Sequence, residues 1–214
     1  MFLMLENSPL AGLGASKRLN MLAQYTYGFG AMGRPLFLLG TMPLYLLGVA
    51  MAHHDNYSAQ PWLLTAGLVV MWLVQLTTHY NNEYRDLETD LATPVPTRIS
   101  GGSRVLVRSL VKPAAARLAS AVTFFLALSL AILSVLALGA GYAVLGLVAI
   151  GLLLGWYYSA PPLKLASRSI GEFAIVIAGC LLVPSLGYYL QASTLSPGLL
   201  LTTLPLAGIS HINS

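Results

Sequence analysis

Charged residues are scarce in this sequence. Only 8% of its 214 residues are Asp, Glu, Lys or Arg, whereas 57% are hydrophobic. An ordinary soluble domain carries roughly 25% charged residues, so this composition excludes a water-exposed globular domain. The sequence also has a single cysteine, Cys180, which excludes a disulfide within it and a cysteine metal cluster. Because Cys180 lies in an apolar run, we interpret it as a small core residue.

Long apolar runs take the place of the missing charges. Runs of about 17 to 25 residues are long enough to cross the hydrocarbon core of a bilayer as helices. Five such runs occur, at residues 35–52, 61–78, 118–138, 142–158 and 173–190, and a shorter sixth occupies residues 197–209. We therefore predict an all-α polytopic transmembrane bundle of five full spans and a partial sixth. Residues 1–33 are predicted to form a cytoplasmic or interfacial segment, and residues 34–214 a single transmembrane domain.

The basic residues indicate how the chain lies in the membrane. They occur before the first span, between the second and third, and between the fourth and fifth. The opposite loops, around residues 53–60, 139–141 and 191–196, contain no Lys or Arg. By the positive-inside rule the basic side faces the cytoplasm, with the N-terminus, in an inner or plasma membrane. This placement argues for a lipid bilayer and against nucleic acid as the partner, despite a net charge of +4.

Three polar residues follow the second apolar run at intervals of four. Asn82, Asp86 and Asp90, called the acidic stripe below, would share one helix face. Carboxylate and amide oxygens suit Mg²⁺, which also keeps waters and substrate phosphates as ligands. The alternative is an ordinary solvated helix end, paired with neighbouring cations. Glu83 and Glu88 lie off this face, and we assign them to solvent or to structural pairing.

The spacing of the acidic stripe resembles the first aspartate-rich motif of the UbiA superfamily of intramembrane prenyltransferases. Three further features are similar to that family: Arg34-Pro35 before the first span, Tyr-Ser-Ala-Pro-Pro-Leu-Lys at residues 158–164, and Gly171-Glu172. The resemblance covers roughly residues 34–190. Because the order and spacing of these features agree as a set, the resemblance is more specific than the acidic stripe alone.

The resemblance implies an Mg²⁺-dependent enzyme that transfers a prenyl chain from a polyprenyl diphosphate to an aromatic acid. The acceptor would be a hydroxybenzoate or a dihydroxynaphthoate of quinone biosynthesis, the latter in the branch that leads to menaquinone. The implied site residues are Asn82, Asp86 and Asp90 for the metal, Asp86, Asp90 and Tyr158 for catalysis, Arg98, Arg104 and Lys164 for the diphosphate, and Arg34 for the acceptor.

The sequence departs from the family in one respect. Members of the family carry a second aspartate-rich motif further along the chain, and no aspartate follows Asp90 here. We therefore expect a C-terminally truncated member of the family. Two other functions stay open, a noncatalytic fragment or assembly subunit and a small membrane transporter. A transporter would place ionisable groups deep within its spans, and these spans contain almost none.

Overall fold

The computed structural model of the protein describes residues 15–92, 102–168, 170–199, 201–203 and 205. No strand occurs among these residues. The helices are α1 (Ala15–Met32), α2 (Pro35–His54), α3 (Pro61–Arg85), α4 (Leu87–Ala92), α5 (Pro113–Leu136), α6 (Ala143–Ser159), α7 (Gly171–Val176) and α8 (Val183–Ala192). A π-helical segment, Ile177–Leu182, joins α7 to α8, so the three form one apolar span.

The predicted spans correspond to these helices. Four helices are long and apolar enough to cross a membrane: α2, α3, α5 and the combined span Gly171–Ala192. The fourth predicted span is α6, a shorter apolar helix of 17 residues. The all-α class is therefore confirmed. The predicted sixth span lies partly outside the described residues, and residues 197–199 and 201–203 within it are helical.

Proline marks where three of the spans begin. Pro35, Pro61 and Pro113 are the first residues of α2, α3 and α5. Proline suits this position because the first backbone N–H groups of a helix have no partner within it, and its φ angle is already helical. At the other end, α3 runs past the predicted apolar limit into a polar segment. Hydropathy does not register that segment, although its backbone continues the helix.

Helix α3 lies at the centre of the bundle. It packs against α5 and α6 and also against α8 and α2, while α2 packs mainly on α8. Glycines allow the α2 and α8 backbones to approach closely. A Cβ atom at Gly48 would collide with the carbonyl of Pro184, and one at Gly187 would collide with the carbonyl of Tyr45. Small residues at helix crossings are the usual basis of close packing in membranes.

Candidate active site

The acidic stripe forms where α3 passes into α4. The backbone N–H of Asp86 donates to the carbonyl of Asn82 at 2.9 Å, and that of Asp90 donates to the carbonyl of Asp86 at 2.8 Å. The helical i to i−4 hydrogen bonds therefore continue across the junction, and the three side chains share one face. All three side chains are half-buried.

Burial and neighbouring carboxylates disfavour ionisation of both aspartates of the stripe. The pKa of Asp86 is raised from 3.8 to about 6, mainly by burial and then by the charge of Asp90. Glu83 adds to this shift, and Arg34 and Lys164 oppose it. Burial and the charge of Glu83 also raise the pKa of Asp90. A half-buried carboxylate pair that resists ionisation is stabilised when a cation binds between its members.

The donor set fits a magnesium ion. In the part of the chain that the structure describes, no three His, Cys, Asp or Glu side chains are grouped closely enough to hold a metal. Mg²⁺ does not need such a cage, because it binds through one or two carboxylates and fills its remaining positions with water and substrate phosphate. Asp86 and Asp90 would supply the carboxylates. The hydroxyl of Ser159 donates to Oδ1 of Asn82, which fixes that oxygen and leaves its second lone pair for a ligand.

Glu83 links the end of α3 to Arg34, just before α2, and to Ser103 in the loop after α4. It is only 3% exposed, and its Oε1 accepts hydrogen bonds from Nη2 of Arg34 at 3.2 Å and from the backbone N–H of Ser103 at 2.7 Å. Its Oε2 accepts from the hydroxyl of Ser103 at 2.8 Å. Of the two roles expected for Glu83, solvent exposure and structural pairing, the structure shows structural pairing. Sequence reasoning missed its importance because its partners lie 20 and 49 positions away.

A glycine lets the loop after α4 approach the carboxylates. Gly102 has a positive φ of 61°, and a Cβ atom there would lie 3.0 Å from Oδ2 of Asp90 and 3.1 Å from Oε1 of Glu83. Both the backbone conformation and the close approach favour glycine. The loop is thereby held against the end of the acidic stripe.

Three of the predicted cations surround the carboxylates. Arg34 and Lys164 lower the pKa of Asp86, and Arg104 lowers that of Asp90 and donates Nη1 to its carbonyl at 3.3 Å. All three adopt the left-handed backbone conformation, with φ of 50°, 42° and 56° respectively. This conformation costs a non-glycine residue about 1–3 kcal/mol and is concentrated at ligand-binding sites. The fourth predicted cation, Arg98, lies outside the described residues.

An apolar cavity of about 270 Å³ adjoins the acidic stripe, between α2, α3, α6 and the span Gly171–Ala192. Its polar end is lined by Arg34, His79, Asn82 and Tyr158. Its body is lined mainly by Phe37, Met71, Val74, Leu147, Val148, Leu154, Ile175, Leu182, Val183 and Leu186. Because Asn82 belongs to both the cavity and the stripe, the cavity reaches the acidic stripe at Asn82.

Two features of the cavity wall were not predicted. His79 lies on α3 three residues before Asn82, just beyond the predicted apolar run 61–78. The π-helical segment contributes Ala178, Gly179 and Leu182 to the wall. Such segments are rare and often occur at functional sites. The sequence signal for it is Pro184 just beyond, which has no N–H to donate to the preceding turn.

The chain matches a known protein family. A profile of the UbiA prenyltransferase family matches residues 26–213, which include the acidic stripe, the surrounding cations and the cavity. No curated protein and no solved structure matches the chain. The match confirms the family resemblance, and together with the apolar helices it identifies an integral membrane protein. The chain therefore belongs to the UbiA prenyltransferase family, whose general activity is prenyl transfer within the membrane.

Proposed function

We propose that the protein transfers a prenyl group from a polyprenyl diphosphate to an aromatic acid of the hydroxybenzoate or dihydroxynaphthoate class, in quinone biosynthesis. The observation that carries the proposal is the apolar cavity that reaches, at Asn82, a helix face whose two carboxylates have Arg34, Arg104 and Lys164 as neighbours. A polyprenyl diphosphate has the matching form, an apolar chain that ends in a concentrated negative charge.

The diphosphate is assigned to the end of the cavity at the acidic stripe. Asp86 and Asp90, with Asn82, would hold Mg²⁺, which when bound neutralises charge on the departing diphosphate. Arg104 and Lys164 bind the phosphate oxygens through charge-assisted hydrogen bonds. Arg98 is a further diphosphate ligand proposed from the sequence. By the positive-inside rule this end of the bundle faces the cytoplasm.

The prenyl chain is assigned to the apolar body of the cavity. When the bond between its first carbon and the diphosphate oxygen breaks, the allylic cation must be shielded from water until the aromatic ring attacks it. The electron pair of the broken bond leaves with the diphosphate, the new carbon–carbon bond forms at a ring carbon that bears hydrogen, and the departing diphosphate takes up the proton that this carbon loses. Tyr158 lines the polar end, where the π face of its ring can stabilise the cation.

The acceptor is assigned to the side of the cavity at Arg34. A guanidinium has five N–H donors, and Glu83 accepts from Nη2. Arginine binds carboxylates in a geometry that lysine does not reproduce, so the acid group of the acceptor is placed here. Because Glu83 is buried, its pairing holds Arg34 at the cavity rather than in solvent.

The test is an assay of the chain in lipid nanodiscs with labelled geranylgeranyl diphosphate, Mg²⁺ and either 4-hydroxybenzoate or 1,4-dihydroxy-2-naphthoate. We expect a prenylated product, and we expect Asp86→Asn and Asp90→Asn to weaken Mg²⁺-dependent binding of the diphosphate by about 100-fold or more. Glu88→Gln is the matched control, because Glu88 is an exposed carboxylate of α4, the helix that carries Asp90. Equal binding by wild type and both aspartate variants would contradict the site assignment. Binding without product would favour the noncatalytic alternative.

A further inference from the structure

One buried nitrogen of the cavity has no partner. Nε2 of His79 is inaccessible to solvent and makes no hydrogen bond. Among the described residues, the other buried side-chain atom in this condition is Nε2 of Gln191, and Gln191 does not line the cavity. Buried polar groups are nearly always hydrogen-bonded, so an exception at a cavity wall calls for an explanation.

Several other polar side chains of the cavity have hydrogen-bond partners. Nε2 of Gln75 donates to the hydroxyl of Thr41 at 2.7 Å. The hydroxyl of Thr78 donates to the carbonyl of Val74 at 3.0 Å. Arg34 pairs with Glu83, and Asn82 accepts from Ser159, as described above. His79 lines the cavity, so rotation of its imidazole about the Cβ–Cγ bond turns toward the cavity a nitrogen that the protein itself leaves unused.

The position of His79 relates it to the reacting part of the substrate. It precedes Asn82 by one helical turn, so it lies about 4.5 Å deeper along α3, and it lies about 10 Å below Asp86. The ring of Phe37 packs edge-on against the imidazole, with centroids 5.9 Å apart and an interplanar angle of 62°. If the diphosphate lies at the acidic stripe, as proposed above, the first carbons of the prenyl chain and the acceptor ring would lie near this depth.

We propose that Nε2 of His79 binds the ring hydroxyl of the aromatic acceptor, while Arg34 binds its carboxylate. This inference rests on the proposed function. The prenyl chain has no polar group to offer, and the diphosphate is assigned to the cations at the mouth of the cavity, so the acceptor hydroxyl is the substrate group that fits. A hydroxyl both donates and accepts, and so it pairs with either neutral tautomer of the imidazole.

The consequence is that His79 makes the site select hydroxylated aromatic acids. Because 4-hydroxybenzoate and benzoate share the carboxylate, comparing them isolates the hydroxyl from the contribution of Arg34. Their binding is measured by isothermal titration to the full chain in nanodiscs, with Mg²⁺ and non-hydrolysable geranylgeranyl thiodiphosphate present. We expect wild type to bind 4-hydroxybenzoate about tenfold more tightly than benzoate, as expected for one hydrogen bond.

Two substitutions separate the hydrogen bond from packing. We expect His79→Leu to abolish the tenfold preference, and His79→Gln to retain part of it because the amide reaches the position of Nε2. Thiodiphosphate binding should stay within about twofold of wild type in both, since the metal site is not touched. The matched control is His54→Gln, because His54 is exposed at the other end of α2. It should behave as wild type.

The outcomes distinguish this inference from the function on which it rests. A preference for the hydroxyl that persists in His79→Leu overturns the inference alone, provided that thiodiphosphate binding still requires Mg²⁺ and Asp86. The absence of a preference in wild type overturns it as well. Loss of the requirement for Mg²⁺ and Asp86 instead contradicts the proposed function.

A measurement on wild type covers the case in which His79→Leu does not fold. The chain has four histidines, so ¹⁵N-histidine labelling gives few imidazole signals. Variants of the other three, His53, His54 and His211, assign the signal of His79 by elimination. We expect its Nε2 resonance to shift when 4-hydroxybenzoate is added and to stay in place with benzoate. A resonance that does not respond to 4-hydroxybenzoate overturns the inference.

Discussion

The ionisation of Asp86 gives the sharpest test of the metal site. Burial and the neighbouring carboxylates raise its pKa to about 6. In the metal-free protein Asp86 should therefore be about one-tenth ionised at pH 5 and about nine-tenths ionised at pH 7. An aspartate at its ordinary pKa of 3.8 would already be more than nine-tenths ionised at pH 5.

The direction of the effect on stability and on metal binding follows from this shift. Between pH 3.8 and about 6 the folded metal-free chain holds a proton on Asp86 that the unfolded chain has lost. The stability contributed by this group is therefore fully present below pH 3.8 and is lost as the pH rises through about 6. Mg²⁺ binds the ionised carboxylate, so its affinity should fall about tenfold for each pH unit below 6.

Infrared difference spectroscopy measures the titration directly. The spectrum of wild type minus that of Asp86→Asn, recorded in EDTA, isolates the carboxyl group of Asp86. As the pH rises, its band should change from the protonated to the ionised form with a midpoint near pH 6. Asp90→Asn should lower the midpoint, because a repelling charge is removed, and Lys164→Met should raise it, because an attracting charge is removed. Glu88→Gln should leave it unchanged. A wild-type midpoint near pH 4 would show that the carboxylate is solvated, and no effect of Asp90→Asn would show that the two carboxylates lie apart.

Three further changes test other parts of the structure. Glu83→Gln removes a buried charge that pairs with an arginine, and should lower the free energy of unfolding by about 1–3 kcal/mol; an unchanged thermal midpoint in detergent would contradict the pairing. Gly48→Ala should destabilise the chain because its Cβ meets a carbonyl of α8, whereas Gly40→Ala, in open space on the same helix, should be neutral or stabilising by up to about 1 kcal/mol. Comparable changes in melting temperature for Gly48→Ala and Gly40→Ala would contradict the close approach of α2 and α8. Gly179→Phe places a ring at a cavity-lining glycine where an added Cβ meets no atom within 4 Å, so it should weaken binding of geranylgeranyl diphosphate more than that of dimethylallyl diphosphate. Gly146→Phe, on an exposed surface, should affect neither. An equal loss of affinity for the two diphosphates would show that the prenyl chain does not occupy the cavity.

The sequence by itself determined the class of the protein and the position of its spans. The low charge and the apolar runs predicted the helices, because a segment that crosses a bilayer must satisfy its backbone hydrogen bonds internally and cover itself with apolar side chains. Both requirements act locally, within about 20 residues. The spacing of Asn82, Asp86 and Asp90 predicted a shared face for the same reason, since helical periodicity is a local property. Their metal-binding role stays a prediction.

The tertiary structure alone decided how the site is assembled. The sequence allowed either solvent exposure or structural pairing for Glu83, and the pairing with Arg34 and Ser103 follows only when α2 and the loop after α4 meet the end of α3. His79 became a candidate binding residue only in the tertiary structure, because the packing of four spans leaves a cavity beside it and leaves its Nε2 without a hydrogen-bond partner. Burial, desolvation and the meeting of residues distant along the chain are properties of packing, and no local pattern encodes them.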